Sequence, residues 1–168
     1  VYNGDSEKGH NMQTVSVLVD VQNVYYTTRH AYKRSFDYNL FWQIVGEGRD
    51  INAAYAYAID RGIDSQIKFQ DALRNIGFEV KLKPFIQRRD GSAKGDWDVG
   101  IALDAIELAE TVDTIVLVSG DGDFEILVER IKERFGKPVE VYGVPGLTAQ
   151  NLIDSASKFV PIEKDFLL

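Results

Sequence analysis

No cysteine occurs anywhere in the 168 residues. That excludes a disulfide framework, a thiolate metal site and a thiol nucleophile, and it fits a reducing, cytosolic compartment. Histidine is nearly absent as well: His10 lies in the polar opening stretch and His30 in a helical one, both away from the motifs that carry chemistry. No uninterrupted apolar run approaches the roughly 20 residues a membrane helix needs, so no membrane partner is expected. No charged start followed by an apolar stretch marks an export signal. Neither GxGxxG nor GxxxxGKS/T is present, which removes the glycine-loop routes to nucleotide binding. Positive charge is scarce, with 19 Lys and Arg against 26 Asp and Glu and a net charge of −7. Such a balance argues against strong non-specific attraction to nucleic acid or to an anionic membrane.

What is present is a chain 45% hydrophobic and 27% charged, enough for one globular domain with a real core. The opening "VYNGDSEKGHN" is polar and precedes the single methionine, Met12, so residues 1–13 are expected to be a flexible tail or an expression remnant. Residues 14–168 are expected to form the single domain. Charge is segregated along it. Between Lys81 and Gly95, Lys81, Lys83, Arg88, Arg89 and Lys94 face one acid, Asp90, so this segment carries +4 and the remainder −11.

A short, β-branched apolar run predicts a strand at 14–21, and further runs read as strands at 51–59, 78–85, 113–119 and 138–144, with a weaker sixth at 158–162. Helical patterns lie between them. Asp37 can cap "YNLFWQIVG", and Asp64 can cap "SQIKFQDALRNIG", whose Gly77 sits where a left-handed C-terminal cap belongs. Further helices are expected over 97–110 and 124–136, the second ending at Gly136. Strands separated by helices of this length imply parallel crossovers, hence a three-layer α/β/α sandwich with a mainly parallel central sheet.

Ligands in such folds bind beyond the carboxyl ends of the strands, where strand order reverses. Asp20 ends the first strand, and "VSGDGDFEIL" (118–127) sets Asp121, Asp123 and Glu125 behind the fourth. Asp60 follows the second strand, within "AIDRGID", which reads equally well as a polar turn. Each acid has a bland role to weigh: Asp123 as a helix cap, Asp121 as a turn former around Gly122, Asp20 as cap of a helix near Gln22. Acids from separate strands at one sheet edge are different, because like charges raise each other's pKa unless a cation or proton intervenes. An oxygen-only donor set suits Mg²⁺ or Mn²⁺ rather than Zn²⁺. In "AKGDWDVGIALDA" (93–105), Asp96 and Asp98 open a helix, where the dipole favours acids. Asp104 stands about 240° around the helix from Asp98, so only one of the two enters a common site directly. Asp98 is the favoured one, with Asp96 as a solvated partner and Asp104 as a supporting or structural acid.

The ordered set "VLVDVQN" (17–23), "KGDWDVGIALDA" (94–105) and "LVSGDGDF" (117–124) resembles the NYN domain, most of all its LabA-like branch, within the PIN-like nuclease superfamily. The resemblance runs from about Val15 to Ile162. It implies a PIN-like fold whose clustered aspartates bind Mg²⁺ or Mn²⁺ and hydrolyse RNA phosphodiesters, with single-stranded RNA as the preferred substrate. The metal-binding acids would be Asp20, Asp98, Asp121 and Asp123, with Asn23 as the polar partner of the first motif and Glu125 as a substitute or supplement for Asp123. One departure is plain: the lysine that the family usually carries three residues before the helix aspartate is replaced here by Gly95, and Lys94 lies one further back.

The chemistry of the residues agrees. A bare carboxylate cluster repels a phosphodiester, whereas one or two divalent ions turn repulsion into attraction and activate a water for in-line displacement. Arg88, Arg89 and Lys94 flank the loop towards Asp98 and are candidates to track a nucleic-acid backbone, against the plainer role of a solvated loop. Trp97 and Tyr25 or Tyr26 are candidates for stacking on unpaired bases, with core packing the plainer role for Trp97. An aspartyl-phosphate phosphatase would need a second acid two residues after Asp20, where Gln22 stands, and a Toprim-type site would need glutamate in place of Asp20. The serious rival is a non-catalytic regulatory or RNA-binding module on the same fold. A homodimer is left open.

Overall fold

A computed structural model of the chain describes residues 12–84, 86, 87, 93, 94 and 96–168. In chain order the elements are β1 (Gln13–Asp20), α1 (Val21–Tyr32), α2 (Tyr38–Val45), β2 (Arg49–Asp60), α3 (Asp64–Ile76), β3 (Glu79–Pro84), β4 (Ile86–Gln87), β5 (Ala93–Lys94), α4 (Asp98–Ala109), β6 (Thr114–Val118), α5 (Glu125–Phe135), β7 (Val139–Gly143), α6 (Gln150–Ser155) and β8 (Lys158–Pro161). Single 3-10 turns occupy Gly122–Phe124 and Lys164–Phe166. The tail expected over residues 1–13 lies outside the described residues as far as Asn11, and β1 begins two residues later at Gln13.

Six strands pair in the order β3-β2-β1-β6-β7-β8, every neighbour parallel. The short β4 and β5 pair separately and antiparallel. Alternation along each strand sorts the core into two layers. Val15, Val17 and Val19 of β1 and Val116 and Val118 of β6 join α1, α2, Leu73 of α3 and Phe166 on one face. Leu18, Ile115 and Leu117 join Ile101, Ala105 and Ala109 of α4, Val128 and Ile131 of α5 and Leu152 of α6 on the other. The expected three-layer α/β/α sandwich is therefore what forms, with an all-parallel sheet. Burying a Val, Leu or Ile contributes about 1.5–3 kcal/mol each, and such residues make up Val15, Val17, Leu18 and Val19 of β1 and all of β6 after Thr114.

Local signals explain most element ends. Asp37 Oδ1 accepts the amide of Leu40 and caps α2, as its position predicts. Gly136 closes α5 in the left-handed region, and Gly77 closes α3 at φ 136 against the ring of Trp42, where a Cβ would come within 2.6 Å. Asp64 departs from expectation. Ile63 occupies the N-cap position without a side-chain bond, and Asp64 is the first helical residue, where its charge complements the helix dipole instead of capping an amide.

Candidate metal centre and nucleic-acid cleft

Strand order reverses between β1 and β6, since the chain runs outward through β2 and β3 and then returns to β1's other side. The register pairs Val19 with Val118, so the next residues on each side, Asp20 and Ser119, meet at that switch. Ser119 Oγ donates to Asp20 Oδ2 at 3.1 Å and accepts the amide of Asp121 at 3.2 Å. Asp20 Oδ1 caps α1 by accepting the amide of Asn23 at 3.4 Å. The side-chain oxygen of Asn23 in turn accepts the amide of Gly120 at 2.9 Å. Asn23 thus ties the first motif to the third rather than standing free in the cleft. Ser119, fully buried, is the residue that sequence reasoning missed, because a serine between a strand and a glycine reads as an ordinary turn.

The stretch after β6 owes its shape to closeness, not to left-handed backbone. A Cβ on Gly120 would lie 2.6 Å from the carbonyl oxygen of Leu147, and one on Gly122 would lie 2.7 Å from Asn151 Oδ1. The Gly120 carbonyl accepts the amide of Ala149 at 3.0 Å, and that of Gly122 accepts Asn151 Nδ2 at 3.0 Å. Held in this way, Asp121 turns one oxygen onto the amide of Asp123 at 2.9 Å.

Asp98, Asp121 and Asp123 each bring one carboxylate oxygen to within 4.8 Å of the others. Asp98 reaches the group from the first turn of α4, where its amide is held by Asp96 Oδ1 at 3.2 Å. Asp20 is beside the group but not within it; with Asp96, Asp98 and Asp121 it lines a cleft of about 230 Å³ that Gln22, Tyr26 and Trp97 also border. Glu125 lies in the first turn of α5, outside the three-carboxylate group. Asp104 is elsewhere. Its Oδ2 accepts Tyr57 Oη at 2.7 Å and Lys81 Nζ at 2.8 Å, on the side of α4 that faces the sheet. Asp60 Oδ1 accepts the amide of Gly62 in an exposed turn.

Electrostatics follow from this crowding. Burial pushes the Asp98 carboxyl up to about 7, helped by the charge of Asp121, a carboxyl–carboxyl hydrogen bond with Asp121, and the charges of Asp96 and Asp20. Burial also raises Asp20; the bonds from Ser119 and the Asn23 amide oppose that rise, and Asp121 and Asp96 add to it. No described cation enters the group. An all-oxygen donor set in which Asp98 disfavours its own ionisation fits a hard divalent ion such as Mg²⁺ or Mn²⁺.

The expected basic flank is only partly placed. Arg88 and Arg89 lie outside the described residues, and Lys94 is placed through its backbone alone, which pairs with Ile86. Lys81 is occupied by Asp104 and by the ring of Tyr55 at 4.1 Å. Lys83 sits 4.4 Å over the ring of Trp97 and donates to the Asp96 carbonyl. Trp97 itself packs against the α4–α5 side of the core, with Nε1 donating to the Ala58 carbonyl at 2.9 Å and Gly100 leaving room for its ring. Among the described residues, no helix is long and apolar enough to cross a membrane.

An all-parallel sandwich with acids gathered at its strand switch is the architecture of a PIN-like α/β domain. The chain belongs to the NYN domain family, which matches residues 14–163. It is 30% identical over 115 residues to the low amplitude and bright protein LabA of Synechococcus elongatus, covering 65% of this chain and 61% of that protein. It is also 30% identical over 128 residues to an uncharacterised protein of Methanocaldococcus jannaschii, covering 74% of this chain and 48% of that one. The chain therefore spans about half to three fifths of the length of the curated relatives it matches. A crystal structure of a protein of unknown function from Vibrio parahaemolyticus is 60% identical, with a TM-score of 0.90, and the match covers 94% of this chain and 97% of that one. Membership of this family, together with the acidic cluster, points to nuclease-like or RNA-related chemistry.

Proposed function

We propose that the chain is a divalent-metal-dependent ribonuclease that hydrolyses phosphodiester bonds in single-stranded RNA. The observation that carries this reading is the convergence of Asp98, Asp121 and Asp123 at the β1–β6 switch, with Asp98 disfavouring its own charge until a cation arrives. Those three carboxylates would hold Mg²⁺ or Mn²⁺, and Asp20, steadied by Ser119, stands next to them as a further acceptor. When bound, the ion supplies positive charge to the scissile phosphate and lowers the pKa of a water nearby. Asp20 and Asp96 border the space a nucleophilic water would use and can take hydrogen bonds from it. Asn23 and Ser119 keep the ends of β1 and β6 in register so that acids from distant parts of the chain stay together. Asp104, tied to Tyr57 and Lys81, supports α4 from beneath.

A non-catalytic RNA-binding or regulatory module is the second reading, favoured by the fact that Asp20 stays outside the three-carboxylate group. Cleavage of labelled single-stranded RNA in the presence of Mn²⁺ separates the two. The nuclease reading expects cleavage by the parent protein and its loss in Asp121→Asn, with the variant still folded by circular dichroism. Equal cleavage by both would assign the activity to a contaminant, and binding without cleavage would favour the module.

A further inference from the structure

The basic segment noted in the sequence is not the only place where acids are scarce. From Val21 to Phe36 there is none, in a chain that carries 26. This stretch is α1, its C-terminal cap Lys33 and the three residues after it, and α1 starts at the cleft. Gln22 and Tyr26 line the cleft. Tyr25 and Tyr26 are 54% and 56% exposed, unusual for large aromatic side chains with no apolar patch to hide in. Their rings meet edge to face at 5.6 Å, and the Arg29 guanidinium sits 5.8 Å from the Tyr25 ring centre. Gln22, Tyr26 and Arg29 fall within about 60° of arc on the helix, so they form one stripe. Lys33, exposed, closes the helix at φ 58 one turn further on. Neither Arg29 nor Lys33 has an ion-pair partner among the described residues.

We propose that this face of α1 is a track for the unpaired nucleotides that flank the bond held at the carboxylates. The stripe runs from an amide and an aromatic ring at the cleft to two unpaired cations beyond it. That order suits a strand whose first base stacks on Tyr26 and whose following phosphates pass Arg29 and Lys33. Trp97 is not available for the same task, because Lys83, Tyr57 and Gly100 already occupy its surroundings. A duplex would present phosphates to Arg29 and Lys33 but no free base face to Tyr26, so the track selects single strands. The inference rests on reading the cleft as an RNA site, and its test is chosen to fail separately.

Binding of a labelled 12-nucleotide single-stranded RNA, and of the same sequence as a duplex, is followed by fluorescence anisotropy in the Asp121→Asn background, where the probe survives. Tyr26→Ala is expected to weaken single-strand binding by about tenfold, Tyr26→Phe to retain it, and duplex binding to change less than about twofold. Arg29→Ala with Lys33→Ala should lower the slope of log affinity against log salt by roughly 1.4, two phosphate contacts at about 0.7 each. Unchanged single-strand affinity in Tyr26→Ala together with an unchanged salt slope overturns the track, as does an equal loss on the duplex. Tyr26-dependent binding without any cleavage by the parent leaves the track standing and removes the nuclease. Cleavage by the parent that neither the Tyr26 nor the Arg29 and Lys33 variants alter does the reverse.

Discussion

The hydroxyl of Ser119 donates to Asp20 and accepts from the amide of Asp121, so one buried atom touches both sides of the strand switch. Alanine there removes a bond that favours the charged form of Asp20 and leaves the Asp121 amide without its acceptor. The Asp20 pKa, already raised, should move further up in Ser119→Ala, read by carboxyl carbon NMR titration. The same variant should lose about 1–3 kcal/mol of stability in urea denaturation with chelator present. A loss below about 0.5 kcal/mol with no change in the titration would mean that Ser119 holds nothing. Residues of this size are where the sequence was least informative. Carboxylates at strand ends were legible despite their capping roles, because Asp20 ends one strand and Asp121 follows another, and a parallel sheet brings both to one rim. Ser119 was not, since its partner Asp20 is 99 residues away and only the β1–β6 register joins them. The α1 stripe was hidden for a related reason: spacing alone puts Gln22, Tyr26 and Arg29 on one helical face, but that this face borders the cleft depends on how α1 packs against the sheet.

Elements show the opposite balance. The central strands β1 and β6 were plain from their apolar runs, because a strand covered on both faces has little polar alternation to disguise it. The helix at 150–155 was not anticipated, as six residues carry too little periodicity to separate helix from loop. Yet this short element and the loop before it shape the site, through contacts that only glycine allows. A methyl group on Gly120 would meet the Leu147 carbonyl oxygen at 2.6 Å and Thr148 Cα at 3.1 Å, both backbone atoms that cannot swing aside. Gly120→Ala should therefore push the loop at 144–149 away from the turn that carries Asp121, costing about 1–3 kcal/mol. It should also weaken Mn²⁺ binding, measured by isothermal titration calorimetry, whereas alanine at the exposed Gly146 loop position, where nothing lies within 4 Å, gives a backbone-strain control without that displacement. Equal metal affinity in the Gly120 variant and the parent would show that the carboxylates do not depend on the loop. The basic segment shows what element context adds: Lys81 and Lys83 belong to the charged stretch in the sequence, but α4 and Trp97 engage both.

At the scale of the whole molecule, the gathered carboxylates act against the fold that gathers them. Asp98 has its carboxyl pushed up to about 7 from an ordinary 3.8, so the folded protein holds a proton that the unfolded chain has released between those pH values. Stability falls with rising pH wherever the folded state binds more protons than the unfolded one. The contribution is thus fully present below about pH 4 and is lost as pH climbs through about 7. The raised Asp20 carboxyl acts in the same direction. A divalent ion that binds only the folded state reverses the trend, adding about 2.7 kcal/mol at a hundred times its dissociation constant. Binding it requires the Asp98 proton to leave, so affinity should fall roughly tenfold per pH unit below about 7. Scanning calorimetry in EDTA and in saturating Mg²⁺ or Mn²⁺ should accordingly show a larger metal-induced rise in Tm at pH 8 than at pH 5.5. The net charge of −7 also grows with pH and favours cation binding in general, so the decisive comparison is with Asp98→Asn. That variant should melt higher than the parent in EDTA at pH 8, where it no longer carries the crowded charge, and should gain less from the metal. If parent and variant respond to metal equally at both pH values, the carboxylates do not share an ion, because a shared ion must feel the loss of one of its ligands and the proton that ligand carried.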